Sequence, residues 1–232
     1  MKGSLPHGEK SFDYQKTILY FLTIPTDGSV VKSVQDQVLA LIKTKAGRGR
    51  RVHVPRDFLD LGSRDAVDQA LSRLARAGVV RRLLRGVYDF PKRHPRLGTL
   101  APNLDDVAKA IARSTGCHIQ LSGSHAANSL GLSTQVPARL VYLTNGSSRT
   151  VRIGNQTIQF RHATPRTLAA AGSTAGTVIQ ALRHLGPDDV TSDTIDRIRT
   201  KLTRRDLAEL EEYVRIVPSW LKPTLSELAQ AT

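Results

Sequence analysis

Apolar residues recur along this chain at spacings that define a sequence of short elements. Val34, Val38, Leu39, Leu41 and Ile42 form one helical face over Ser33–Lys45, with Ser33 as the cap. Pro55 suits a first helical position, and Phe58, Leu59 and Leu61 give Arg56–Leu61 an apolar side before Gly62 breaks it. Ser63 is placed to cap a second helix, Ser63–Ala77. There Val67, Ala70, Leu71 and Leu74 recur as a buried stripe, and Arg64, Asp68, Gln69, Ser72, Arg73 and Arg76 are left outside. Gly78 stops that helix. Val79–Leu83 and Val87–Phe90 then flank Leu84-Arg85-Gly86 as a hairpin, with Val52–Val54 as a short third strand carrying a surface His53. Two helices at a Gly-containing turn followed by a basic hairpin predict a winged helix-turn-helix, an arrangement that sets one helix in a DNA groove and a cationic loop on the flanking phosphates.

Pro91–Gly98, with two prolines in five residues and mostly charged neighbours, reads as a linker. The domain boundary is expected near Leu97–Pro102. Beyond it the pattern changes. Asp105–Ser114 is a helix, Ile119–Leu121 a short strand, Ser124–Leu130 a small-residue helix and Arg139–Thr144 a strong strand. Arg149–Ile153 and Thr157–His162 alternate around Gly154-Asn155 as a hairpin. Helices follow at Leu168–Ala171, Ser173–Leu185, Ser192–Leu202, Arg205–Val217 and Leu221–Ala231. The predicted class is α+β: a leader over residues 1–29, a winged helix-turn-helix domain over 30–96, and a mixed α+β domain over 97–232 that ends in several helices. Met1–Ser29 carries no amphipathic period. It is either an idle leader or a docking arm using Tyr14, Tyr20 and Phe21.

Charge sharpens this picture. The 232 residues carry a formal net charge of +14. Between Lys43 and Arg96 there are 3 Lys and 12 Arg against 5 Asp, a net +10. A polyanion is therefore expected to meet this part of the chain. On the second helix Arg64, Gln69, Ser72 and Arg73 are the candidate base contacts, since Arg suits guanine and Gln suits adenine. Arg48, Arg50 and Arg51 in a flexible Gly-spaced run are candidate phosphate contacts, together with Ser63, Arg76 and, on the wing, Arg81, Arg82 and Arg85.

Little else carries chemistry. Cys117 is the only cysteine, so neither an intrachain disulfide nor a cysteine-based zinc site is expected. Ile18–Leu22 is too short to span a bilayer and lacks a signal peptide's flanks, so a cytoplasmic protein without membrane contact is expected. Ser122-Gly123-Ser124-His125 matches a nucleophile elbow poorly and reads better as a helix cap. His118, His125, His162 and His184 lack paired zinc spacing; His162 and His184 read as partly buried polar residues or anion contacts. Arg149, Arg152, Arg161 and Arg166 form only a weak second cationic surface. Trp220, Leu221 and Leu225 are exposed apolar candidates; Trp220 beside Pro218 reads first as core and otherwise as an anchor for a partner protein. No enzyme, cofactor or metal site is expected.

Several short motifs together point to a family. They are Gly47-Arg48-Gly49-Arg50, Phe58-Leu59-Asp60-Leu61-Gly62-Ser63-Arg64, Ala66-Val67-Asp68-Gln69-Ala70-Leu71 and Arg85-Gly86-Val87-Tyr88-Asp89. Further on come Ser122-Gly123, Ala126-Ala127-Asn128, Gly131-Leu132, Val136-Pro137, Val141-Tyr142-Leu143-Thr144, Thr164-Pro165-Arg166 and Val178-Ile179-Gln180-Ala181-Leu182. In combination they resemble the AbiE-type antitoxins of type IV toxin–antitoxin and abortive-infection systems, in the branch described only as a domain of unknown function. Nearly everything after Val30 is covered; Met1–Ser29 departs from the family pattern. The resemblance implies a bacterial protein whose winged helix binds inverted repeats in its operon's promoter, self-associating on the DNA, and represses transcription. It further implies a C-terminal domain that counteracts a nucleotidyltransferase-like toxin without a stable complex. Two other readings remain open: a winged-helix regulator whose second domain serves dimerisation or partner binding, and a nucleic-acid-processing enzyme.

Overall fold

A computed structural model describes residues 32–135 and 139–230. The expected leader, the Val136-Pro137 motif and the expected end of the last helix at Ala231 lie outside the described residues. Helix α1 (Val34–Gly47) buries Val38, Ile42 and Ala46, spaced four apart on one face. Strand β1 (Val52–His53) follows, then a 3-10 helix (Pro55–Leu61) that starts on its proline and sinks Phe58 completely. Gly62 lies against α1, where a Cβ would sit 3.2 Å from Val34 Cγ2. Helix α2 (Arg64–Arg76) starts on Ser63, whose hydroxyl accepts from the Ala66 N–H, and it buries Val67, Ala70, Leu71 and Leu74. Strands β2 (Arg81–Leu84) and β3 (Val87–Asp89) form a tight antiparallel hairpin. At its turn Gly86 takes φ +72, a conformation that favours glycine. With β1 added on the far side of β3, the three-stranded sheet has the order β1-β3-β2.

The expected linker is structured. Strands β4 (Arg93–His94) and β5 (Gly98–Thr99) pair antiparallel as a second small hairpin. Helix α3 (Leu104–Thr115) is capped by Asn103 and closed by Gly116 in the left-handed conformation. Next come β6 (Ile119–Leu121), α4 (Gly123–Ser129), β7 (Leu140–Thr144), β8 (Arg149–Ile153) and β9 (Gln156–His162), which build a four-stranded sheet in the order β6-β7-β9-β8. Strands β7 and β9 are parallel, which the intervening β8 hairpin makes possible. The rest is helical: α5 (Thr174–Leu185), α6 (Ser192–Arg199), α7 (Arg204–Tyr213), a short 3-10 turn (Ser219–Leu221) and α8 (Lys222–Ala229). The class is mixed α+β.

Three hydrophobic clusters hold these elements. One joins α1, the 3-10 helix, α2 and the β2–β3 hairpin. The C-terminal helices share another with α4. There Gly123 permits close approach, since a Cβ on it would lie 2.6 Å from His184 Cβ. Leu221 and Leu225, expected on the surface, are fully buried in this cluster, and Trp220 packs on its edge. The middle cluster is the informative one. Tyr142, Ile153, Ile158 and Phe160 of the larger sheet, with Val107 and Ile111 of α3, pack with Val52 and Val87 of the first sheet and with Val54 just after β1. Hydrophobic burial is thus continuous across the expected boundary at Leu97–Pro102, and residues from Val34 onward fall into one compact unit.

Candidate nucleic-acid interface

The outer side of α2 follows from its buried side. With Val67, Ala70, Leu71 and Leu74 turned inward, Gln69, Arg73 and Arg76 share one exposed face at intervals of four and three residues. Ser72 is half-buried beside them. Arg64 is exposed and lies 2.9 Å from Asp68, a surface pair one turn apart that costs little to give up. Ser63, expected on a phosphate, already uses its hydroxyl as the α2 cap. At the neighbouring hairpin Arg85 occupies the turn and Arg82 the outer side of β2, and both are exposed. Arg48 is exposed at the end of α1. Among the described residues Arg48, Arg73, Arg76, Arg82 and Arg85 form no ion pair.

Other expected phosphate contacts are committed to the protein itself. Arg50 pairs with Asp57. Arg51 donates to the carbonyls of Phe90 (3.0 Å) and Pro91 (3.4 Å) and lies over the Phe90 ring. Arg81 reaches Asp89 at 2.5 Å and the Leu100 carbonyl at 3.1 Å. The run Gly47–Arg51, expected as a flexible loop, is therefore pinned, and the Arg48 and Arg50 N–H groups both return to the Lys45 carbonyl. The Gly-spaced composition suggested mobility, whereas long-range acceptors decide otherwise.

Asp57 is the centre of this anchoring, and sequence reasoning missed it. Its carboxylate is almost entirely buried and receives Arg50, Arg113 Nε at 3.1 Å and the Val54 N–H at 3.0 Å. Burial alone would raise its carboxyl. The Val54 N–H and the two guanidinium groups outweigh that and hold it below the ordinary carboxylate range. Arg113 sits on α3 and also donates to the Val52 carbonyl at 3.0 Å, so it locks β1 and the 3-10 helix onto the second half of the chain. No spacing rule joins residues 57 and 113.

His53 also departs from expectation. Instead of lying on the surface it is fully buried against Phe58, and among the described residues neither ring nitrogen has a partner. Burial, against the pull of Asp57 and reinforced by Arg50, Lys45 and Arg113, pushes its imidazole down to about 4.

In the second half a groove of about 830 Å³ opens between α3, β6, α4 and the start of α5. Lys109, Asp105, His118, His125, Asn128 and Thr174 are among its walls. Tyr142 donates to Asp105, and burial first, then that carboxylate, raises its phenol. His125 is pushed down by burial. Ser122 stands at the cap of α4 without making a side-chain capping bond, and its hydroxyl is buried without a partner. His162 and His184, expected as partly buried polar residues or anion contacts, are exposed rather than partly buried. Arg149 lies over the Phe160 ring on the core face of its sheet. The strand register puts Arg152 and Arg161 on the other face. Among the described residues no three His, Cys, Asp or Glu side chains converge as a metal would need, and no helix is long and apolar enough to cross a membrane.

Residues 37–210 match a family of unknown function, DUF6088. That match spans about three quarters of the chain. The chain belongs to the DUF6088 family. No curated protein matches the sequence. Among solved structures, the chain is similar to the RV2827C protein from Mycobacterium tuberculosis at 14% identity and a TM-score of 0.37, covering 87% of this chain and 78% of that one. A likeness at that level carries no argument. For this DUF6088 protein the reading of the site rests on its own geometry.

Proposed function

We propose that this DUF6088 protein binds double-stranded DNA through α2 and the β2–β3 hairpin and acts as an antitoxin that represses its own operon. The observation that carries the DNA reading is the stripe Gln69, Arg73 and Arg76 on a capped helix, next to a hairpin with Arg82 on its β2 strand and Arg85 at its tip. The element order and the sheet order β1-β3-β2 support reading this part as a winged helix-turn-helix. In this reading α2 enters a major groove, Arg73 and Gln69 meet base edges, and Arg48, Arg76, Arg82 and Arg85 hold phosphates. The antitoxin role and a nucleotidyltransferase-like toxin as functional partner rest on the resemblance to AbiE-type antitoxins. The open groove beside α3 and α5 favours a second reading of the C-terminal half, as a partner-binding module of a regulator without antitoxin activity.

Two assays separate these. Binding of the full chain to a duplex from upstream of its own reading frame, with non-specific DNA as competitor, tests the DNA reading. Equal affinity for both duplexes at physiological salt defeats operator recognition. Co-expression with the neighbouring gene tests the antitoxin role: rescue of growth supports it, and toxicity unchanged by co-expression leaves the regulator.

A further inference from the structure

The β4–β5 hairpin has no evident reason to exist inside the fold. Both of its strands are exposed throughout, and none of its residues belongs to any of the three hydrophobic clusters. A free two-stranded hairpin is marginal in water, so something must hold it. Here its base is stapled to the first sheet. Arg81 donates to the Leu100 carbonyl at 3.1 Å and Arg51 to the Phe90 and Pro91 carbonyls, while the bond from the Leu100 N–H to the Lys92 carbonyl closes the hairpin's own ladder. These are two of the arginines drawn away from solvent. They fix the second hairpin to the foot of the first.

The tip is built as well. His94 Nδ1 accepts from the Arg96 N–H at 3.2 Å and the Leu97 N–H at 3.3 Å, and Gly98 at φ +68 closes the turn. What this turn presents is Arg96 and Leu97, with Lys92 behind them. Leu97 is 72% exposed; the other strongly exposed large apolar side chain among the described residues, Leu59, reaches 43%. A lone surface leucine is ordinary. One set at the end of a braced hairpin, directly after Arg96 and with no acidic residue between Phe90 and Leu104, is a different object.

We infer that the β4–β5 hairpin is a second wing whose Leu97 inserts as an apolar wedge into the DNA minor groove while Arg96 and Lys92 hold the adjoining phosphates. The inference rests on the proposed DNA binding and extends it. Charge complementarity selects a polyanion over a protein surface. Within a duplex, minor-groove binders combine basic residues with an aliphatic wedge that opens a base step and bends the helix. From the base at Lys92, three residues at about 3.3 Å each carry the tip about 10 Å outward, enough to enter a groove.

The test uses the full chain, a duplex from its own upstream region carrying end-to-end fluorophores, and hydroxyl-radical footprinting, which reports the minor groove. Wild type is expected to bend the duplex and protect a minor-groove segment. Leu97→Ala should lose the bend and that protection, with affinity lower on the order of ten-fold and an unchanged salt slope. Leu97→Phe should retain both, and Arg96→Ala should reduce the salt slope by about 1. Because all these side chains are exposed, the variants keep the fold, which an unchanged melting temperature verifies. Leu97→Ala matching wild type in bend and footprint, while Arg73→Ala loses operator preference, overturns the second wing and leaves the DNA reading intact. Wild type failing to bind any duplex overturns both.

Discussion

The cations of this protein divide between two regions that their sequence does not distinguish. Around Asp57 and Asp89, Arg50, Arg81 and Arg113 are paired with buried carboxylates and backbone carbonyls. On α2, β2 and the hairpin tips, Arg73, Arg76, Arg82, Arg85 and Arg96 stand exposed, with no acidic partner among the described residues. The first group fixes where the elements sit, and the second is what the assembled surface offers to a polyanion. Net charge counts both alike, although a guanidinium already neutralised inside the fold releases no counterions from DNA. The inner group matters to the outer one because it holds β1, the 3-10 helix and the β2–β3 pair on which the exposed cations stand.

The largest effect that would sharpen this contrast is on stability. Asp57→Ala removes the acceptor shared by Arg50 and Arg113 and strips the Val54 N–H of its partner. Loss of one side of a buried ion pair costs about 3–5 kcal/mol. Here the lower end applies, about 3 kcal/mol, because Arg50 and Arg113 are 38% and 33% exposed and regain water. A urea titration reads it. A midpoint equal to wild type would show that Asp57 is no anchor.

Next comes acid sensitivity. His53 is neutral in the native state down to about pH 4, while an exposed imidazole in the unfolded chain takes up a proton below about 6.5. Its contribution is fully present above pH 6.5, shrinks as pH falls, and is gone by about pH 4. The difference amounts to about 3 kcal/mol at most. Replacing it with a residue that cannot titrate, His53→Leu, should flatten the stability profile between pH 6.5 and 4. An unchanged profile would place the acid sensitivity elsewhere.

The exposed region should behave in the opposite way, with function altered and stability intact. Arg73→Ala is expected to cost about 1–3 kcal/mol against one base pair of the operator while melting like wild type. Arg82→Ala should act more weakly still, lowering affinity for every sequence and reducing the salt slope by about 1. If the two variants lose the same sequence preference, the split between base reading and phosphate holding fails.

Legibility followed the same division. The α2 stripe, its Ser63 cap, the Arg85-Gly86 turn and the β8–β9 hairpin could be read from residue order because caps, turns and periodicity act within a few positions. Arg73 and Arg76 were legible for the same reason, since a residue opposite a buried stripe must face out, and Arg85 because it falls at the turn. His53 is not legible as buried because a two-residue strand has too little periodicity to show its sides, and both are covered: Val52 and Val54 pack in the middle cluster while His53 lies against Phe58. Pro91–Gly98 passed for a linker because its strands bury nothing, so no hydrophobic pattern marked them.

By itself the sequence determined an α+β chain, most of its element boundaries to within a few residues, and where the positive charge is concentrated. Only the tertiary structure decided which arginines are spent inside, that Asp57 and Arg113 bind the two halves, and that the supposed linker is a braced hairpin ending in Leu97. The reason lies in range. Helical stripes, caps and turns are set by neighbours a few residues apart, whereas a guanidinium is neutralised by whichever acceptor the packed core brings within about 3 Å, and no local pattern encodes that meeting.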